Sequence, residues 1–168
     1  MTQISVGFLP IEEIEKLIDL AQNIWTATYE HILPPGQVDF MLDLLYSPDR
    51  LRQEIADGHP MFSAFLGDEM IGFAHLFIEG HQARLDKLYV SPFFQRMGVG
   101  RSLVDAASGH AIRADCSLMT LRVNRANATA IAAYEKMGFG IIATNKKDIG
   151  AGYVMDDYLM LVDLVSTG

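Results

Sequence analysis

Three residues at fixed spacing, Gln95, Gly98 and Gly100, stand in the segment Gln95-Arg96-Met97-Gly98-Val99-Gly100-Arg101, where strand character gives way to helical character. Such a junction can hold an anion. The first N–H groups of a helix lack intrahelical carbonyls, and the aligned peptide dipoles make that end electropositive. Glycine at 98 and 100 removes side chains that would keep a phosphate off the main chain, while Arg96 and Arg101 supply cations for its oxygens. Two other phosphate loops do not fit. The segment lacks the Gly-Lys-Ser/Thr ending of a Walker-type loop and the G-x-G-x-x-G order of a dinucleotide fingerprint.

The elements that must position this loop follow from periodicity. A strand is expected over 2–8, then a helix opened by Pro10 through Ile14, Leu17, Ile18, Ala21, Ile24 and Trp25. That helix runs toward Tyr29 and stops before Pro34-Pro35-Gly36, since proline has no donor and restricts its predecessor. Val38, Met41, Leu42 and Leu45 mark a second helix, and Ser47-Pro48 caps a short third one ending at Gly58. Strands over 62–66, 70–78 and 83–90 then form a meander, with turns at Gly67-Asp68-Glu69 and Glu79-Gly80. Helix 98–113, strand 118–123, helix 126–137 closed by Gly138, and strands 139–144 and 152–162 complete the order. This is an α/β pattern, a mixed sheet with helices on both faces. The 83–90, 98–113, 118–123 unit is a βαβ crossover, so its strands are expected to be parallel neighbours with ligands at their carboxyl ends.

The 168 residues, half of them apolar, fit one domain over 1–168. With 13 Lys and Arg against 21 Asp and Glu, the net charge of −8 and the lack of a basic stripe argue against nucleic acid. The acidic balance favours cationic small molecules if the acids gather around a cleft. No apolar run reaches the roughly 18 residues of a membrane span, and the start lacks signal-peptide character, so a cytoplasmic location is expected. Cys116 is alone and reads as a buried structural thiol.

The run LDKLYVSPFFQRMGVGRSLV resembles the acetyl-CoA signature of the GNAT acetyltransferase superfamily, whose Q/R-x-x-G-x-G/A pattern is met by Gln95, Gly98 and Gly100. LRVNRANATAIAAYEKMGF is similar to that superfamily's second block. The resemblance implies a GNAT fold, a central mixed sheet of about six or seven strands that splays between its fourth and fifth. It implies acetyl-CoA as co-substrate, its pyrophosphate on the amides from Arg96 to Arg101 and its pantetheine arm along Leu88, Tyr89 and Val90. Asn127 would contact the arm, Tyr134 would stand beside the thioester sulfur, and Lys136 would reach a phosphate.

Amine attack on a thioester needs a neutral amine, a stabilised oxyanion and a proton for the departing thiolate. Backbone N–H groups of Leu88 or Val90 suit the second task and Tyr134, a phenol protonated at neutral pH, suits the third. For the base no histidine falls in a motif, and the candidates are Glu79 and Asp86, acting through water, with Glu30, His31, His75 and His81 beside them. Three outlying segments, WTATYEHILP, DFMLDLLYSPDRL and DIGAGYVMDDYLM, together resemble the PaiA-type polyamine acetyltransferases. On that resemblance Trp25, Tyr29 and Tyr46 stack on an alkylammonium, and Glu30, Asp39, Asp43, Asp156 and Asp157 offer carboxylates to a second one. The expected acceptor is therefore a polyamine or other small cationic amine, attacked directly in a ternary complex by a monomer or homodimer. The alternatives are acetylation of protein N-termini or lysines, and a non-catalytic acetyl-CoA sensor.

Overall fold

The computed structural model describes residues 3–164. Residue 2 of the expected first strand lies outside the described residues. Strand β1 (Ile4–Phe8) leads into helix α1 (Ile14–Tyr29), α2 (Gln37–Leu45) and α3 (Pro48–Ala56). A meander of β2 (Met61–Leu66), β3 (Glu69–Glu79) and β4 (Gln82–Val90) follows. Then come α4 (Val99–Arg113), β5 (Leu118–Asn124), α5 (Ala128–Lys136), β6 (Gly140–Gly150) and β7 (Tyr153–Asp163). The seven strands make one sheet in the order β1-β2-β3-β4-β5-β7-β6, parallel only between β4 and β5. Among the described residues no helix is long and apolar enough to cross a membrane.

Local chemistry sets the helix limits. In α1 the buried residues Ile14, Leu17, Ala21, Ile24 and Trp25 recur every three or four positions, a stripe that must face the sheet. The chain leaves α1 with the Leu33 N–H bonded to the Tyr29 carbonyl at 2.9 Å, and Pro34 ends the ladder. Ser47 caps α3, its Oγ accepting from the Arg50 N–H at 3.1 Å. On one face of the sheet α1, α2 and α3 enclose a core built on Ile14, Leu17, Trp25, Leu51 and Phe73. On the other, α4 presses Val99, Leu103, Ala107 and Ala111 against Ile71, Leu85, Met119 and Leu121. Gly72 permits that approach: a Cβ there would stand 3.2 Å from Leu103 and Val99 side chains and 3.0 Å from the Tyr89 carbonyl.

Two of the boundaries that differ from the periodicity have a clear physical cause. β6 extends to Gly150 rather than stopping at Thr144. Asn145, Lys146, Lys147 and Asp148 read as loop because they are polar, but they belong to an exposed edge strand, where charge is the usual protection against further pairing. α5 begins at Ala128, after Asn127, because the Asn127 side chain is its cap.

The decisive feature is a fork. β4 and β5 pair only from Gln82–Leu118 to Leu85–Leu121. Beyond that, β5 stays with β7 as far as Asn124–Asp157, while β4 stays with β3 as far as Val90–Gly72. Residues 86–90 of β4 thus have no strand partner on the β5 side, the splay that the sequence resemblance implied between the fourth and fifth strands.

Candidate active site

At the end of β4 a short turn through Pro92–Phe94 delivers the chain to the glycine loop. Arg96 has φ 68°, and Gly98, the residue preceding α4, has φ 78°. The first of these is a conformation that costs a non-glycine residue on the order of 1 kcal/mol. The Ser102 N–H bonds to the Gly98 carbonyl at 3.0 Å, so the N–H groups of Val99, Gly100 and Arg101 come before any intrahelical partner. No atom lies within 4 Å of a Cβ placed on Gly98, and one on Gly100 would meet only Val90 and Met137 side chains at 3.6 and 3.8 Å. The loop therefore offers free amides on an open side, flanked by the exposed Arg96 and Arg101. That arrangement fits a pyrophosphate. Val99 itself is buried in the core, so any contribution it makes is through its backbone.

Where β4 leaves β5 its pairing with β3 carries a bulge: His75 opposes Lys87 and Leu76 opposes Leu85, leaving Asp86 as the extra residue. The bulge breaks the alternation of faces. Arg84, Asp86, Lys87 and Tyr89 all line one cleft of about 500 Å³, while Leu88 and Val90 pack toward α4. Lys87, only 4 % exposed, holds Asp86 at 2.7 Å and lies 5.3 Å from the centre of the Tyr46 ring. Burial alone would raise the Asp86 carboxyl; Lys87 and Arg84 outweigh it and hold the group below its ordinary range. Asp86 faces the cleft as an occupied, weakly basic ion-pair partner.

An aromatic wall closes the α1 side. Trp25 donates its Nε1–H to the Tyr46 hydroxyl at 3.2 Å and packs 4.8 Å from Tyr29 and 5.6 Å from Tyr89. Asn127 donates to the Tyr29 hydroxyl at 3.4 Å, and its own oxygen accepts the Ala130 N–H at 3.2 Å. This side chain thus ties α5 to α1. Burial raises the pKa values of Tyr29, Tyr46, Tyr89 and Tyr134, the last further lifted by Tyr29. Tyr134, edge-on to Phe139 at 5.9 Å, is thus a proton holder throughout the physiological range.

Opposite this wall, strand register sets Asn124, Asp157 and Asn145 side by side across β5, β7 and β6, and all three line the cleft. Asp157 is 5 % exposed. Burial pushes its carboxyl up to about 6, Arg122 opposes that rise and Asp156 adds to it. It is the one cleft carboxyl among the described residues whose proton affinity is raised, which is what a base near neutral pH needs.

The structure gathers some of the expected site residues and scatters others. Trp25, Tyr29, Tyr46 and Asp86 line the cleft. Trp25 and Tyr46 are engaged with each other, and a protein lysine, not a free ammonium, lies over the Tyr46 ring. Glu30 is outside, bound to His31 at 3.1 Å, and Glu79 is outside, bound to Arg84 at 3.1 Å. Asp39 and Asp43 are exposed on α2 and do not line it. Asp156 points the other way, to Arg125 at 3.6 Å and a smaller neighbouring groove, because adjacent strand residues face opposite sides. Strand parity turns Asp157 to this cleft and Asp156 to the neighbouring groove.

The histidines lie elsewhere. His75 is fully buried, its Nε2 donating to the His59 carbonyl at 3.0 Å, and burial followed by Lys87 lowers it to about 3. His81 is exposed against Asp115. Lys136 is exposed in the last turn of α5, away from the cleft lining, and Cys116 is buried with its thiol raised by burial. The positive charge of the cleft is what sequence reasoning missed: Arg50, Arg84, Lys87, Arg122 and Lys147 line it against Asp86 and Asp157.

Comparison with known proteins agrees with this geometry. The model of the Acetyltransferase (GNAT) family matches residues 18–139. A spermidine N(1)-acetyltransferase of Thermoplasma acidophilum is 28% identical over 150 residues, covering 86% of this chain and 93% of that protein. A peptidyl-lysine N-acetyltransferase of Salmonella typhimurium is 28% identical over 144 residues, 84% of this chain and 88% of its own. The crystal structure of the PaiA N-acetyltransferase from Thermoplasma acidophilum in complex with coenzyme A superimposes with a TM-score of 0.83 at 26% identity, covering 96% of this chain and 99% of that one.

Proposed function

The chain belongs to the GNAT acetyltransferase family, whose members use acetyl-CoA, and on that premise we propose that it transfers acetyl to a primary amine by direct attack in a ternary complex. The observation that carries the proposal is the fork: an unpartnered edge over 86–90 of β4, reached from the glycine loop at one end and from the polar cleft at the other. In this reading the amides of Val99, Gly100 and Arg101, with Gln95, Arg96, Met97 and Gly98 shaping the loop, hold the pyrophosphate. The free edge through Leu88, Tyr89 and Val90 holds the pantetheine arm and offers an N–H to the oxyanion.

The proton traffic falls to two residues of different character. Asp157 takes a proton from the attacking nitrogen as the new C–N bond forms, and Tyr134 gives one to the sulfur as the C–S bond breaks. Tyr29 is electrostatically linked to both, its own pKa raised by Asp157 and that of Tyr134 raised by Tyr29. Asn127 fixes that tyrosine through its hydrogen bond. A polyamine or other small cationic amine is the acceptor supported by the sequence resemblance and by the spermidine-acetylating relative.

The test is release of free thiol from acetyl-CoA in the presence of spermidine, spermine, simple diamines, amino acids and short peptides. Acceleration by at least one amine, with equal formation of its acetyl amide, is the expected result. Tight acetyl-CoA binding without release by any amine would leave a sensor in place of an enzyme.

A further inference from the structure

We propose that the acceptor carries an anionic group, a carboxylate in the simplest case, that pairs with Arg122 and Lys147 while its amine is presented to Asp157 and the fork. This rests on the acetyl-transfer reading and departs from the polyamine expectation, which needs an acidic cleft. The chain as a whole has a net charge of −8, yet its cleft lining has five cationic side chains and two carboxylates. A surface that is acidic overall and basic at one concavity concentrates anions there.

Most of these cations are already engaged. Arg50 lies 3.7 Å from Glu54, Arg84 lies 3.1 Å from Glu79 and 3.5 Å from Asp86, and Lys87 lies 2.7 Å from Asp86. Arg122 and Lys147 differ. Among the described residues neither forms an ion pair, and both are exposed to the cleft from the β5 and β6 wall. The register places Arg122 two residues before Asn124 on β5 and Lys147 two residues after Asn145 on β6. The two long side chains therefore flank the Asn124–Asp157–Asn145 row diagonally, on either side of the proposed base.

The two carboxylates do not offer a second cation a seat. Asp86 is taken by Lys87 and Arg84, and Asp157 is the group that must receive the proton. A dication bound here would place its far ammonium against Arg122 or Lys147. A zwitterionic acceptor would place a carboxylate there instead, with charge-assisted hydrogen bonds to a guanidinium or an ammonium.

Cadaverine and lysine make a matched pair, since they differ by one carboxylate. Thiol release is measured with both, and with two short C-terminally amidated peptides of one free N-terminus that differ only in a glutamate or an arginine at the second residue. The expected result is kcat/KM at least about tenfold higher for the carboxylate-bearing member of a pair, through KM, and a ratio that falls as salt is raised. Which pair responds tells a small amino acid from a peptide. Arg122→Gln and Lys147→Gln should each collapse that ratio, and Arg122→Lys should restore part of it. Because the ratio is read within one protein, any effect of Arg122 on Asp157 cancels. Equal or better turnover of cadaverine and the basic peptide overturns the proposal while leaving acetyl transfer intact. No release with any amine overturns both.

Discussion

Replacing Asp157 by asparagine should make the protein more stable at alkaline pH and nearly inactive. The carboxyl has a folded-state pKa of about 6 against an ordinary 3.8. Since the folded value is the raised one, the associated stability is full below about pH 4 and is lost as pH rises through about 6. Ionised at pH 8, the buried group costs ~3 kcal/mol, with the attraction of Arg122 already included. An asparagine side chain has nearly the same shape and no charge, so the variant should gain up to that amount at pH 8 and nothing near pH 4. Urea unfolding would show this as a midpoint higher by about 1 to 2 M at pH 8. His75 titrates in the opposite sense: its folded value is lowered to about 3, so its contribution is full above pH 6.5 and lost on acidification. Subtracting the wild-type curve from that of the variant removes this background. In the same variant kcat should fall by about 100-fold or more, and the wild-type limb in kcat near pH 6 should disappear. A variant less stable than wild type at pH 8, or one that keeps both rate and limb, would refute the assignment of a costly buried base.

Tyr134→Phe retains the ring beside Phe139 and removes only the hydroxyl, so kcat should drop by about 100-fold while coenzyme A affinity by calorimetry stays the same. Gly98→Ala should weaken coenzyme A binding about tenfold by placing a methyl group on the open face of the loop, whereas Gly100→Ala, whose Cβ meets the Val90 and Met137 side chains and whose position the Q/R-x-x-G-x-G/A pattern leaves open to alanine, should leave binding nearly unchanged. They should differ in thermal unfolding. Gly98 has φ 78°, so alanine there costs about 1 kcal/mol, whereas Gly100 is helical and its new Cβ meets only ordinary contacts. His75→Gln should flatten the loss of stability between pH 6.5 and 4, read from urea midpoints, because no buried imidazole then has to be kept neutral.

The fold was legible wherever periodicity carried it. The apolar stripe of α1, the Ser47 cap of α3, the meander of β2 to β4 and the glycine-started α4 are all written in local residue choice. The far half of β6 was not, because an exposed edge strand lacks the alternation that a buried face imposes. The open backbone of the loop before α4 was legible because glycine spacing reports backbone directly.

The cleft was less legible, for reasons of geometry. Asp156 and Asp157 are chemically equal in a sequence, and only strand register decides which one faces the cleft. A bulge at Asp86 turns Asp86 and Lys87 to the same side, which a strict alternation of faces hides. Trp25 and Tyr46 looked like a cage for an external cation, but Lys87 occupies the Tyr46 face from within the chain. The charge of the cleft, formed from α3, β4, β5 and β6, is a property of assembly that overall composition does not report.

The central claim is that this fork brings acetyl-CoA and an amine together for direct transfer. Its most direct test is an initial-rate grid in both substrates, joined to intact-mass measurement of the protein after exposure to acetyl-CoA alone. The account predicts intersecting double-reciprocal lines, one acetyl amide formed per thiol released, and a protein of unchanged mass. Parallel lines with an acetylated protein would contradict it.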